Sequence, residues 1–213
     1  MRFQFTVTMA GGGWTMIFKA VSGVDQGAFD AYNSGVTYDE SNMAALDVTK
    51  SDRDYKNRIV LNWNNFDKSK ARVVLYTGGN QVKELKFDAV GSDKLNWFTS
   101  EKLRGDSSWF ADIQFGPRNY FSIQGHGGAN RDFFINKKYA GCEEDFGWLV
   151  ITGTACDWEK ASASKHHTVQ QTGCFSQLAQ WRSRSRRYAG CLVALRNDQN
   201  HSRPVQVARV KRQ

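Results

Sequence analysis

Between Cys142 and Glu159 the chain gathers side chains suited to holding a sugar. Glu143, Glu144 and Asp145 follow the first cysteine, and Asp157, Trp158 and Glu159 follow Cys156. A shallow saccharide site needs an aromatic face for the C–H surface of the ring and a few fixed polar groups for its hydroxyls. His126 and Arg131, upstream, are further candidate neighbours. Trp158, set between two acids, reads as the aromatic platform, whereas Trp148, followed by Leu149-Val150-Ile151, reads as core. The run of three acids also suits a plain solvated turn, and the same carboxylates could instead hold a cation.

Catalytic patterns are thin. His166-His167 stand beside Lys165 in a Ser-rich stretch without an H-E-x-x-H or G-x-S-x-G frame. Gly125-His126-Gly127-Gly128 has no nucleophile motif with it and reads as a turn between strands, and Gly11-Gly12-Gly13 lacks the context of a phosphate loop. The expectation is a protein that is not an enzyme, with no catalytic residue to nominate.

A second kind of chemistry lies near the C-terminus. Arg182, Arg184, Arg186 and Arg187 alternate with Ser ahead of Tyr188. From Arg182 to Gln213 there are eight Arg and one Lys against the single acid Asp198, which accounts for the whole formal excess of +8. Such a segment could bind sulfated glycans, nucleic acid or an anionic membrane, or could be a solvated terminus. Residues 197–213 are expected to form a mobile basic tail. An intracellular RNA-binding role ranks last, because no nucleic-acid fold motif accompanies the charge.

The four cysteines, Cys142, Cys156, Cys174 and Cys191, lie in the last third without a C-x-x-C pair. Cys142 and Cys156 flank a strand and turn and are well placed to staple a loop, and Cys174 and Cys191 could form a second bridge; bridged, the four mean an oxidising compartment, and reduced, they are small partly buried thiols.

The elements that must carry these groups read as β-rich. Of 213 residues 40% are apolar and 13% aromatic, with only two prolines, which favours irregular α+β structure over a helical bundle. Residues 14–20 read as a buried strand, 22–27 as a polar turn, and 42–46 as one or two helical turns. Residues 58–63 are strand-like. The stretches 71–77 and 82–87, joined by Gly78-Gly79-Asn80, predict a β-hairpin. A short helix is expected over 93–103, capped by Ser92 or Asp93. Further strands are expected at 120–124, 132–135, 147–152 and 191–195, the third apolar enough to be central in a sheet, with 161–180 as loop. Residues 1–10 are too short and polar for a signal peptide, and no stretch reaches the ~20 apolar residues that span a bilayer, so a soluble chain is expected.

Several of these pieces together resemble the fibrinogen-like C-terminal domain and its lectin relatives, the ficolins, tachylectins and intelectins. Gly11-Gly12-Gly13-Trp14-Thr15 is similar to that family's opening motif. Arg72-Val73-Val74-Leu75-Tyr76 with Gly78-Gly79-Asn80 and Leu85-Lys86-Phe87 is similar to its central hairpin. Cys142-Glu143-Glu144-Asp145-Phe146-Gly147-Trp148, ending at Cys156, is similar to its C-terminal disulfide loop. The resemblance implies a Cys142–Cys156 bridge beside the ligand pocket, and a fibrinogen-like domain over 11–196 after an N-terminal extension of 1–10. It also implies a calcium loop just before Cys142, where this chain offers Asp132 and Asn136 alone. Calcium takes ~6 to 8 oxygens, so no cofactor is required and any calcium site departs from the family's pattern.

The combined expectation is a secreted lectin, of α+β, β-rich fold with a central antiparallel sheet, short helices and long loops. It binds glycans or glycoproteins, and multimerises so that weak sites gain avidity. The other reading is a matrix or adhesion module that captures sulfated polyanions.

Overall fold

Alternation of apolar and charged residues along 70–88 builds a long β-hairpin. Ala71, Val73 and Leu75 lie opposite Phe87, Leu85 and Lys83 across the hairpin, and Ala71, Val73, Leu85 and Phe87 are all in the core. Gly78 and Gly79 close the turn with φ of 56° and 78°, the paired left-handed conformation that a two-residue hairpin loop demands.

The computed structural model describes residues 13–21, 27–50, 52–105, 120–126, 131–138, 146–152, 173–176, 186–188 and 190–197. In chain order their elements are β1 (Thr15–Val21), α1 (Ala28–Asn33), β2 (Tyr55–Lys56), α2 (Arg58–Leu61), β3 (Lys70–Thr77), β4 (Asn80–Asp88), β5 (Leu103–Arg104), β6 (Phe121–Ser122), β7 (Arg131–Lys138), β8 (Phe146–Thr152), β9 (Gly173–Ser176), β10 (Arg186–Tyr188) and β11 (Gly190–Arg196), with 3-10 turns at Met43–Leu46 and Trp63–Asn65. They form a six-stranded sheet of order β2-β1-β11-β3-β4-β5 and a five-stranded sheet of order β10-β9-β8-β7-β6. The pairings are antiparallel, so the fold is β-rich with short helices. β11 enters between β1 and β3, placing a strand from near the C-terminus in the middle of the larger sheet. No helix among the described residues is long and apolar enough to cross a membrane.

One aromatic layer joins the sheets. Trp97 stacks on Trp63 at 6.0 Å and meets Phe87 edge-on at 5.4 Å. Phe98 touches Phe87, Phe121 and Phe133, and Phe133 continues to Tyr32 and Phe18. Each such edge or offset contact adds about 0.5–1.5 kcal/mol to the gain from burial. The polar ends are satisfied: the Trp97 indole donates to Tyr32 Oη and the Lys94 carbonyl, and Trp63 donates to the Ser92 carbonyl. Lys56, fully buried, donates to the carbonyls of Ala31 and Ser34 at the end of α1, where a cation meets the negative end of the helix. Burial pulls its pKa down to about 8, with Lys94 adding repulsion.

The expected strands at 14–20, 71–77, 82–87, 132–135, 147–152 and 191–195 are present, and β8 is the middle strand of its sheet. The 42–46 turn is the 3-10 turn at Met43–Leu46, and the 120–124 strand shrinks to Phe121–Ser122.

Other expectations need correction. Residues 58–63 are not a strand: Asn57 Oδ1 accepts from the Ile59 amide and starts α2, which buries Ile59 and Val60. Residues 93–102 are turns and bends rather than a helix, and Leu103 begins β5. Asp93 Oδ1 accepts from the amides of Leu95 and Asn96 while Asn96 Oδ1 accepts from the Asp93 amide, closing a local loop that competes with helix. Ser92, the other expected cap, donates instead to the Ala89 carbonyl. α1 was not foreseen, β9 falls inside the stretch expected to be loop, and β10 runs through Arg186 and Arg187. Most of the polar turn expected at 22–27 lies outside the described residues.

Candidate functional site

The same alternation that buries one face of the hairpin charges the other. Lys70, Arg72, Glu84, Lys86 and Asp88 occupy the positions between the core residues of β3 and β4. Cross-strand register sets them in rows. Arg72 lies opposite Lys86 and Ala194, and Lys86 lies opposite Arg104. In the next row Lys70 lies opposite both Asp88 and Arg196.

These side chains line a cleft of about 830 Å³ whose walls also include Trp14, Ser69, Gln81 and Val90. Its lining carries five cations, Lys70, Arg72, Lys86, Arg104 and Arg196, against two carboxylates, Glu84 and Asp88. Elsewhere on this sheet face Trp14, Met16, Val74, Tyr76 and Ala194 pack with Ala45 and Leu46 of the first 3-10 turn, and Lys19 donates to the Asp47 carbonyl beside that turn.

Trp14 anchors the boundary between the two halves. It is only 3% exposed, with the Arg72 guanidinium 4.5 Å and the Arg196 guanidinium 6.0 Å from its ring centre. A guanidinium over an indole face is attracted by the ring quadrupole, more strongly where water is excluded. Arg72 Nη1 donates to Glu84 Oε1 at 2.9 Å, and Lys86 Nζ lies 3.0 Å from Glu84 Oε2. Arg104 Nη2 lies 3.3 Å from Asp88 Oδ2. Arg72 is 2% exposed, so its pairing with Glu84 fixes a charge that water reaches poorly; the Lys86 and Arg104 pairs are open to solvent and easily exchanged for another anion. Fixed cations on a rigid sheet, with carboxylates between them, can bind a ligand that carries both negative charge and hydroxyl donors.

Of the residues nominated from sequence, those that the structure describes do not line this cleft. Cys142, Glu143, Glu144, Asp145, Cys156, Asp157, Trp158 and Glu159 lie outside the described residues, as do Arg182 and Arg184. Arg186 and Arg187 lie on β10, opposite Ser176 and Phe175 at the edge of the smaller sheet. Cys174 is on β9 and Cys191 on β11, strands of different sheets.

His126 and Arg131 are brought together, by backbone: the His126 amide donates to the Arg131 carbonyl at 2.9 Å. Arg131 is 1% exposed with its guanidinium 5.5 Å from the centre of the Phe134 ring, so it lies in the interior, away from any surface ligand. The neighbouring Gly125 has φ of 47°, and a Cβ there would stand 1.9 Å from the Arg131 carbonyl oxygen.

Asp132 and Asn136 are buried on β7. Burial, with repulsion from Asp30 second, pushes the Asp132 carboxyl up to about 7. Asn136 Oδ1 accepts from the Tyr120 amide, so this oxygen is engaged by the backbone. Among the described residues no group of three or more His, Cys, Asp or Glu is placed to hold a metal ion.

Sequence reasoning missed the cleft. The available signal was the alternation K-x-R in β3 and E-x-K-x-D in β4, which sets like positions on one face.

Comparison with protein-family models, with curated proteins and with solved structures finds no match to this chain.

Proposed function

We propose that the protein is a saccharide-recognition module of the fibrinogen-like lectin kind, acting outside the cell and holding glycans without transforming them. The observation that supports this reading best is the cleft on the outer face of the six-stranded sheet, where Lys70, Lys86, Arg104 and Asp88 stand on paired strands beside Gln81 and Ser69. Donors and acceptors carried by paired strands suit a polyhydroxylated ligand better than those of a flexible loop would, because the backbone that holds them needs no ordering on binding. The antiparallel sheets and short helices agree at the coarse level with the resemblance in Gly11-Gly12-Gly13-Trp14-Thr15 and in the β3–β4 hairpin. The acidic loop around Cys142 and Cys156 belongs to the same proposal as a second contact region, clasped by a disulfide, and a multimer would add avidity.

A glycan array probed with the full chain, in calcium and in chelator, tests this. Retention on a defined group of saccharides is the expected result, and retention on none under either condition would overturn it.

A further inference from the structure

We infer that the cleft on the outer face of the large sheet is a binding site for acidic polysaccharide, its cations taking the sulfate or carboxylate groups and its carboxylates the intervening hydroxyls. The inference rests on the saccharide-binding reading and assigns its ligand class.

The geometry is that of a charged lattice. Adjacent strands lie ~4.8 Å apart and like-facing residues along a strand about 7 Å apart. Arg72, Lys86 and Arg104 therefore succeed one another across β3, β4 and β5 at the strand spacing, and Lys70 and Arg196 form the next row, two residues along. Lys86 and Arg104 are about half exposed, at 48% and 55%; Lys86 can turn from Glu84 to an incoming anion at little cost, while Arg104, whose Nη1 donates to the carbonyls of Glu101 and Leu103, can offer its Nη2 to that anion in exchange for Asp88. Arg72, held against Trp14 and Glu84, keeps the field positive from beneath without needing to move.

Two features favour a glycan over a nucleic acid. Glu84 and Asp88 sit among the cations, where they can accept from the hydroxyls that a polysaccharide carries between its anionic groups and that a DNA strand lacks within its chain. Single-stranded nucleic acid relies on exposed rings for stacking, and a neutral sugar on a ring face, whereas the two aromatic residues of the lining, Trp14 and Phe87, are both buried; charge and hydroxyl contacts are left to hold an acidic polysaccharide.

The test uses the full chain with heparin as the sulfated probe, an unsulfated neutral polysaccharide and a DNA oligonucleotide, read by column elution and by titration calorimetry. The double substitution Lys86→Glu with Arg104→Glu is compared with the charge-conserving pair Lys86→Arg with Arg104→Lys, and with Arg182→Ser plus Arg184→Ser as a control for the C-terminal basic run. Both reversed positions are exposed, and unchanged melting will confirm that the fold is kept. The reversal is expected to weaken heparin binding at least about tenfold, equal to about 1.4 kcal/mol, and to flatten its salt dependence. The conserving pair and the C-terminal control should retain most of the affinity.

Unchanged heparin binding after reversal would overturn the assignment, as would DNA bound more tightly than heparin through the same residues. Binding of neutral glycan alone would overturn it while leaving the saccharide reading in place. Binding of no glycan at all would remove both.

Discussion

The two faces of the six-stranded sheet are made by alternate residues of the same strands, and they do opposite work. Inward, Ala71, Val73, Leu85 and Phe87 join an aromatic layer with Trp63, Trp97 and Phe98. Outward, Lys70, Arg72, Lys86 and Arg104 stand around a cleft of about 830 Å³. Stability resides on the inner face and on the apolar part of the outer one, where removed surface is worth roughly 25 cal/mol per Å², while the exposed ion pairs of the cleft add ~0–1 kcal/mol each. A patch that contributes little to folding is free to be shaped by a ligand.

The sharpest way to break this contrast is to hollow out the inner face. Trp97→Ala removes a fully buried ring stacked on Trp63 and should cost about 3–5 kcal/mol in denaturant unfolding. A loss under about 1 kcal/mol would mean that the aromatic layer does not hold the sheets together.

At the junction of the faces, Glu84→Gln takes the carboxylate from the buried Arg72 guanidinium. A loss of about 1–3 kcal/mol is expected, because a buried group loses a charged partner. Asp88→Asn, in an open pair with Arg104, should cost less than about 1 kcal/mol. Equal losses for these two would erase the distinction between the anchored and the exchangeable cations of the cleft.

Asp132 supplies a comparison within the smaller sheet. Burial, then Asp30, raises its carboxyl to about 7, against about 3.9 for an unfolded aspartate. A folded state that holds its proton more tightly is favoured below the unfolded pKa, and that advantage is lost as pH rises through 7. Thermal melts between pH 4 and 8 should show Asp132→Asn matching the wild type at pH 4 and melting several degrees higher at pH 8. Asp54, raised to about 6 by burial, leaves a smaller residual slope. Parallel curves at all pH values would contradict the assigned environment.

The smallest effect belongs to the outer face alone. Lys70→Ala, at an exposed position, should change stability by no more than about 0.5 kcal/mol while lowering heparin affinity measurably.

The hairpin was legible because pattern and turn chemistry agree: apolar residues at period 2 flank two glycines in the left-handed conformation. The helix α2 was hidden because Ile59-Val60-Leu61 suits either a strand or a buried helical turn, and one side-chain hydrogen bond from the Ile59 amide to Asn57 decides it. The 93–103 region misled for the opposite reason: Asp93 and Asn96 satisfy their own loop backbone, so the cap signal starts no helix. β9 carries too few apolar residues to stand out in a Ser- and Gln-rich stretch, and owes its place to β8 beside it. The cleft was illegible as a unit because its charges come from separate strands and from Arg196, which only the insertion of β11 beside β3 brings next to Lys70. The cluster expected around Cys142 and Cys156 is contiguous in sequence and so was easy to nominate, but it falls outside the described residues.

Backbone chemical-shift mapping of the isotope-labelled full chain, titrated with a size-defined heparin oligosaccharide, tests the outer-face site most directly. Saturable shifts are expected, concentrated at Lys70, Arg72, Lys86, Arg104 and Arg196, with inner-face neighbours such as Val73 and Leu85 little changed. Shifts confined to residues 142–159 or to the arginines of 182–187, with the β3–β4–β5 face silent, would contradict it.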